Sequence, residues 1–252
     1  MKKILITGAT SGIGRAAAIR LAKAGHHLAI LGRRRDRLEA LQKEILALDS
    51  PLPKLLAVDV KKEEEVNTTI EGLIADWSKI DVLINNAGLS LGLSPLQEGS
   101  INDWDDMMDT NVRGLLVVSK IVANNMITFN TGQIINISSI AGTQVYENGN
   151  VYCASKHAVD ALTKAMRIDF LKYGIRVSSV SPGAVHTEFS TVRFKGDKKR
   201  AKQVYQNYQP LLPEDIAESI AHIVCSPSHV NINDIQITPT AQANAYYLHK
   251  TH

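Results

Sequence analysis

From one end of the chain to the other, short apolar runs alternate with longer stretches whose apolar residues recur every three or four positions. The short runs are Lys3–Thr7, His27–Leu31, Lys54–Val58, Val82–Asn85, Gln133–Ser138, Arg176–Val180 and Asp234–Thr238. Apolar segments of that length bounded by turn residues read as strands. The intervening stretches Arg15–Ala24, Asp36–Leu48, Glu63–Trp77, Met107–Thr128, Val151–Tyr173 and Pro213–Cys225 have helical spacing. Glycine and proline mark the joins at Gly25, Pro51, Pro53, Pro182-Gly183, Pro210 and Pro213. Regular strand–helix alternation predicts an α/β chain: about seven parallel strands, right-handed crossovers, and helices on both faces of one doubly wound sheet.

A chain of 252 residues fits one large α/β domain or two small ones. No linker, repeat or low-complexity tract divides it, so a single domain over 1–252 is expected. The least regular stretch, 183–209, follows the sixth predicted strand and reads as a lid over the ligand end of the sheet. Composition is that of an ordinary globule, with 44% apolar and 21% charged residues. A net charge of +3 without a basic stripe interleaved with aromatics gives no reason to expect nucleic acid as a partner. The basic cluster from Lys195 to Lys202 reads as a solvated face. Cys153 and Cys225 have neither metal-ligand spacing nor a disulfide framework, so no metal is expected. The apolar run Ile4-Leu5-Ile6 breaks at Thr7-Gly8, too soon for a signal peptide or a membrane span, and a cytoplasmic location is expected.

The first predicted strand delivers Gly8, Thr10, Ser11, Gly12, Ile13 and Gly14, followed by a helix rich in Ala and Leu. Glycines at 8, 12 and 14 allow a sharp turn and a close backbone approach, after which helix N-terminal amides can face a diphosphate. This G-x-x-x-G-x-G differs from the common dinucleotide fingerprint and lacks the G-K-[ST] of a phosphate-binding nucleotidase loop. The second strand runs into Arg33-Arg34-Arg35. A carboxylate there would favour the ribose hydroxyls of NAD, whereas guanidinium groups pair with the 2′-phosphate of NADP, so Arg33 and Arg34 favour NADP. Asp59, followed by Val60, could accept from an adenine amino group. Asn85, Asn86, Ala87 and Gly88 suit contact with a cofactor ribose, or equally the stabilisation of the sheet rim.

A second constellation lies at Ser139 and Tyr152-x-x-x-Lys156. Four-residue spacing puts phenol and ammonium on one helix face. A free phenol has a pKa of about 10, too high for proton traffic at neutral pH, and a neighbouring cation brings it down. Tyr152 is therefore a candidate general acid/base, and Ser139, leaving the fifth strand at its carboxyl end, could hydrogen-bond a substrate oxygen.

Together, T-G-x-x-x-G-x-G at Thr7–Gly14, N-N-A-G at Asn85–Gly88, Asn111, Ser139, Tyr152-x-x-x-Lys156 and Pro182-Gly183 resemble the short-chain dehydrogenase/reductase superfamily over essentially the whole chain. The resemblance implies a Rossmann-type fold and a catalytic tetrad. In it Tyr152 is the acid/base, Lys156 lowers its pKa and binds the nicotinamide ribose, Ser139 holds the substrate oxygen, and Asn111 anchors a water leading to Lys156. It also implies cofactor contacts at Pro182, Gly183, Val185 and Thr187. The runs from Asn85 to Gly92, from Thr187 to Gly196 and from Ser228 to Asn233 are similar to the NADP-dependent 3-hydroxy acid dehydrogenases. That narrower resemblance implies substrates of the serine, allo-threonine, 3-hydroxypropionate or malonic semialdehyde type, and a homotetramer. A 3-hydroxy acid brings a carboxylate that needs a positive partner, and Arg193, ahead of Lys195, is the expected one. Reduction of 3-ketoacyl thioesters, steroids or sugars, and a non-catalytic dinucleotide sensor, are the alternatives.

Overall fold

The computed structural model describes residues 1–251. Seven strands form one sheet: β1 (Lys3–Thr7), β2 (His27–Gly32), β3 (Lys54–Ala57), β4 (Val82–Asn85), β5 (Gly132–Ile137), β6 (Ile175–Pro182) and β7 (Asp234–Ile237). All neighbours pair parallel in the order β3-β2-β1-β4-β5-β6-β7. The order reverses between β1 and β4, and the crevice at such a switch point is where open α/β sheets hold ligands.

Among the described residues nine α-helices connect the strands: α1 (Gly12–Lys23), α2 (Arg35–Leu46), α3 (Glu63–Trp77), α4 (Ile101–Met108), α5 (Leu115–Thr128), α6 (Asn150–Asp169), α7 (Phe189–Arg193), α8 (Lys198–Gln203) and α9 (Pro213–Cys225). Alternation along β1 divides the core. Ile4 and Ile6 point to the face covered by α1, α2 and α9; Leu5 points to the face covered by α3, α5 and α6. The small residues Ala16, Ala17, Ala18 and Ala22 let α1 lie close to the sheet and to α9. No helix among the described residues is long and apolar enough to cross a membrane.

Most predicted elements recur with ends shifted by one to three residues. The stretch Met107–Thr128 is the exception. The helix begins earlier, at Ile101, and passes through a π-helical turn at Asp109–Gly114 before continuing as α5. The segment 183–209 also carries more regular structure than the sequence reading gave it, namely α7 and α8.

Candidate active site

β1 hands over to α1 through Gly8 and Gly12, whose φ angles of +66° and +53° lie in the left-handed region. At Gly8 a side chain is also excluded by space, since a Cβ would come within 2.8 Å of the Ala87 Cα. Gly14 packs against the Gly8 carbonyl and the Asn86 amide with no room for a Cβ. Asn86 Nδ2 donates to the Thr7 and Gly8 carbonyls, each at 3.0 Å, and Thr7 Oγ1 accepts from the Asn86 and Ala87 amides at 3.0 Å. The glycine turn and the end of β4 are thereby held as one unit.

This unit is the floor of a cleft of about 280 Å³ running from Arg33 and Arg34 to Ser139, Tyr152 and Lys156. Gly8, Thr10, Ser11, Gly12, Ile13, Asp59, Val60, Asn86, Ala87, Gly88, Pro182, Gly183, Val185 and Thr187 all border it. So does Thr110, whose buried hydroxyl has no partner in the protein. Of the candidate site residues named from the sequence, Gly14, Asn85, Asn111, Arg193 and Lys195 do not border it. Asn85 is a correction to the reading as a cofactor contact. Its Nδ2 donates to Ser119 Oγ and to Asn136 Oδ1, both at 2.8 Å, joining β4 to β5 and α5. The amide nitrogen of Asn85 thus finds both partners inside the protein, while its Oδ1 is buried without one among the described residues.

At the outer end of the cleft, Arg34 Nη2 donates to Thr10 Oγ1 at 2.9 Å and Ser11 Oγ at 3.2 Å. Arg33 lies 3.7 Å from Asp59. Glu188, just before α7, reaches across from the segment 183–209 and takes two bonds from Arg37, at 2.7 and 2.8 Å, with Arg34 at 3.5 Å. Arg37 bonding to Glu188 pulls the pKa of that carboxyl down. Cationic groups on a glycine cradle, with a partnerless buried hydroxyl in its wall, fit a dinucleotide carrying an extra phosphate on its ribose.

At the inner end, β5 ends in Ser138 and Ser139. Ser139 caps a 3₁₀ turn at Ile140–Gly142, accepting from the Ala141 amide at 3.1 Å. Gly142 has no space for a Cβ between Ser138 Oγ and the Lys156 carbonyl, which lets the first turns of α6 approach the strand ends. Tyr152 and Lys156 project from α6, 9% and 7% exposed. Burial raises the pKa of the Tyr152 phenol well above its ordinary value, and Tyr146 adds to the rise; Arg193 and a hydrogen bond with Ser139 pull it back. Burial pushes the Lys156 ammonium down to about 8. Its Nζ donates to the Ile137 carbonyl at 2.8 Å.

Lysine burial has a measurable consequence. Between about 8 and the ordinary 10.5, the unfolded chain holds a proton at Lys156 that the folded chain does not. Stability therefore rises with pH across that window, on the order of 3 kcal/mol for the full shift. Urea unfolding of wild type minus Lys156→Met should show this rise from pH 7.5 to 10.5, whereas a flat difference would contradict the buried ammonium.

Asn111 sits in the π-helical turn, 1% exposed. Its Oδ1 accepts from the Leu89 amide at 2.8 Å; its Nδ2 donates to the Leu89 carbonyl at 2.8 Å and to Ser155 Oγ at 3.0 Å. The wider turn lets one side chain bind the loop after β4 to α6, next to Lys156. All its polar atoms have partners in the protein.

Arg193 at the end of α7 lies beyond Tyr152, beside a second pocket of about 20 Å³ that also includes Leu91, Trp104 and Tyr152. Its Nε donates to Ser90 Oγ at 2.9 Å and its Nη2 to the Tyr146 hydroxyl at 2.5 Å. Its guanidinium carbon stands 5.1 Å from the Tyr152 ring centre and 5.2 Å from that of Phe189. No carboxylate pairs with it among the described residues, whereas Lys195 is engaged by Asp103 at 2.9 Å. Sequence reasoning missed Arg37, Glu188, Thr110, Gly142 and Tyr146. Of these, only Arg37 carried a usable signal, as one more cation at the start of α2.

A family model described as short chain dehydrogenase matches residues 2–198. The chain is 42% identical over 243 residues to the NADP-dependent 3-hydroxy acid dehydrogenase YdfG of Salmonella typhi, covering 96% of each chain. It is 44% identical over 242 residues to a probable NADP-dependent dehydrogenase of Haemophilus influenzae, covering 96% of this chain and 94% of that one. Among solved structures, the closed form of serine dehydrogenase complexed with NADP+ superposes with a TM-score of 0.92 at 39% identity, covering 99% of this chain and 100% of that one.

Proposed function

The chain belongs to the short-chain dehydrogenase family, and on that premise we propose that it interconverts a small 3-hydroxy acid and its carbonyl form with Tyr152 as the acid/base. It is an NADP-dependent oxidoreductase acting on a CH–OH group, like the relatives it matches. When bound, NADP supplies the two-electron hydride chemistry at its nicotinamide. The turn from Gly8 to Gly14 and the residues Asn86 to Gly88 would hold its diphosphate and ribose, with Arg33 and Arg34 at the 2′-phosphate and Val185 and Thr187 at the inner end.

The protein's own residues do the rest. The Ser139 hydroxyl orients the substrate oxygen. Tyr152 receives the hydroxyl proton at its phenol oxygen in oxidation and returns it in reduction. Lys156 and Asn111 keep the α6 face fixed against the ends of β4 and β5. The segment 183–209 acts as the lid, tied down by Glu188 on the arginines of α2 and its approach, and by Lys195 on Asp103.

One observation carries the substrate class: a guanidinium beside Tyr152 that is hydrogen-bonded by neutral hydroxyls and paired with no carboxylate among the described residues. Such a charge in apolar surroundings is poised for an incoming anion. The small pocket beside it, walled by Trp104 and Leu91, has room for about one water-sized group, which favours a short acid over a steroid or a long thioester. Arg193→Ala should raise KM for 3-hydroxypropionate and serine by about 10- to 100-fold, corresponding to about 1.5–3 kcal/mol for a charge-assisted contact. Steady-state kinetics with both acids decide, and an unchanged KM removes this substrate class. The same reading makes the chain a cytoplasmic homotetramer, in which the exposed Leu116 of α5 and Ile168 of α6 find cover. Sedimentation as a monomer would remove that part.

A further inference from the structure

We propose that Arg37 favours NADP over NAD without touching the cofactor, by neutralising the Glu188 carboxylate that the segment 183–209 brings to the phosphate end of the cleft. The inference rests on Arg34 meeting the 2′-phosphate, as in the preceding reading, and gives Arg37 a part in cofactor choice.

The position of Glu188 is built into the fold. Thr187, just before it, packs on the glycine turn so closely that a Cβ at Gly12 would come within 3.2 Å of the threonine Cγ2. Thr187 Oγ1 accepts from the Phe189 amide at 3.1 Å, so that α7 starts directly after Glu188. The carboxylate borders the cleft, with Oε2 3.5 Å from Arg34 Nη1. The other nitrogen of the same guanidinium, Nη2, donates to Thr10 and Ser11 on the glycine turn. One cation is thus shared between the Glu188 carboxylate and any anion drawn to that turn. NADP brings a 2′-phosphate to this spot and NAD a neutral hydroxyl, so an uncompensated Glu188 penalises NADP alone.

Arg37 supplies the compensation. Its Nη1 donates to Oε1 at 2.8 Å and to Oε2 at 2.7 Å, closer than Arg34 comes. Arg37 itself does not border the cleft. The neighbouring cations are engaged elsewhere: Arg33 lies 3.7 Å from Asp59, Arg35 donates to Glu39 at 3.1 Å, and Lys195 pairs with Asp103. With Arg37 on Glu188, the Arg34 guanidinium keeps its charge for the phosphate. Without Arg37, Glu188 draws on Arg34 and competes with the phosphate for the same N–H groups. Both side chains of the pair are about half exposed, so solvent and salt screen the competition without abolishing it.

Fluorescence titrations of NADPH and NADH into the full-length protein and its variants test this. In low salt, Arg37→Ala should raise the NADPH Kd about tenfold and leave the NADH Kd within about twofold. In about 1 M salt, where the screening length is about 3 Å, the NADPH loss should shrink toward nothing. Glu188→Gln should bind NADPH at least as tightly as wild type. Adding Glu188→Gln to Arg37→Ala should bring NADPH binding back to within about twofold, because the carboxylate that needed a counter-ion is gone. Arg37→Lys, which keeps the charge, should stay within about threefold of wild type. A loss in Arg37→Ala that persists in the double variant means that Arg37 meets the phosphate itself, and overturns the proposal. So does an equal loss of NADPH and NADH in Arg37→Ala and Glu188→Gln alike, which would make the pair a fastening of the segment and nothing more. If Arg34→Ala lowers the preference for NADPH while Arg37→Ala leaves it unchanged, the phosphate reading stands and this proposal falls. If neither variant changes the preference, both fall.

Discussion

Tyr152→Phe is expected to lower kcat about a thousandfold while leaving NADPH affinity within about twofold, because it deletes the proton carrier and nothing that shapes the cofactor cleft. The ring itself is part of the packing. It meets Phe189 edge-on at 5.5 Å and belongs to a small core with Met107, Ala141 and Cys153. Phenylalanine keeps those contacts, so no cavity opens and the fold is not at risk. The lost group is a desolvated hydroxyl facing the cleft that Ser139 also borders, worth about 1 kcal/mol of stability at most. The measurement is NADPH consumption with a semialdehyde substrate, beside fluorescence titration of NADPH. Retention of more than about a tenth of the wild-type kcat would remove Tyr152 from the role of acid/base, since general acid–base catalysis contributes about 10²–10⁴-fold.

How much of this was legible in the sequence depends on the range of the forces involved. Strand and helix identities follow from local periodicity, and the sheet formed by those elements matches that expectation strand for strand. The glycine turn was equally legible, because a left-handed φ at Gly8 and Gly12 restricts the residue type at its own position. What sequence spacing did not reveal is set by partners far away in the chain. Asn85 looked like a cofactor contact until Ser119 and Asn136 claimed it. The π-helical turn at Asp109–Gly114 has apolar neighbours on both sides with helical spacing, so periodicity reads straight through it; its cause is Asn111 bonding to Leu89 and Ser155. Spacing alone put a cation next to a phenol at 152 and 156, but it did not show that a second cation would stand beside the same ring. The second cation, Arg193, stands with its guanidinium carbon 5.1 Å from the Tyr152 ring centre although it lies some forty positions later in the chain. Glu188 shows the same limit, since its partners Arg34 and Arg37 are more than a hundred positions upstream.

The double variant Arg33→Ala with Arg34→Ala is expected to weaken NADPH binding about a hundredfold and leave NADH binding nearly unchanged. Each guanidinium can give a charge-assisted contact to a 2′-phosphate, about 1.5–3 kcal/mol where the site is dry. Both side chains are well exposed, at 62% and 42%, so solvent screening brings the pair to about 3 kcal/mol together, or about two decades in Kd. The two are not equivalent. Arg34 is already oriented by Thr10 and Ser11, whereas Arg33 has only a loose pair with Asp59 at 3.7 Å. Less rotamer freedom remains to be lost at Arg34, so Arg34→Ala alone should account for most of the change. Arg37 stays on Glu188 in every variant and holds the segment 183–209 in place, so kcat at saturating NADPH should hold. Protein stability should move by less than about 1 kcal/mol, as expected for exposed ion pairs. Parallel fluorescence titrations with NADPH and NADH supply the ratio. If the double variant keeps the wild-type preference, the phosphate is read elsewhere, and the cleft between β2 and Thr10 has been assigned to the wrong end of the cofactor.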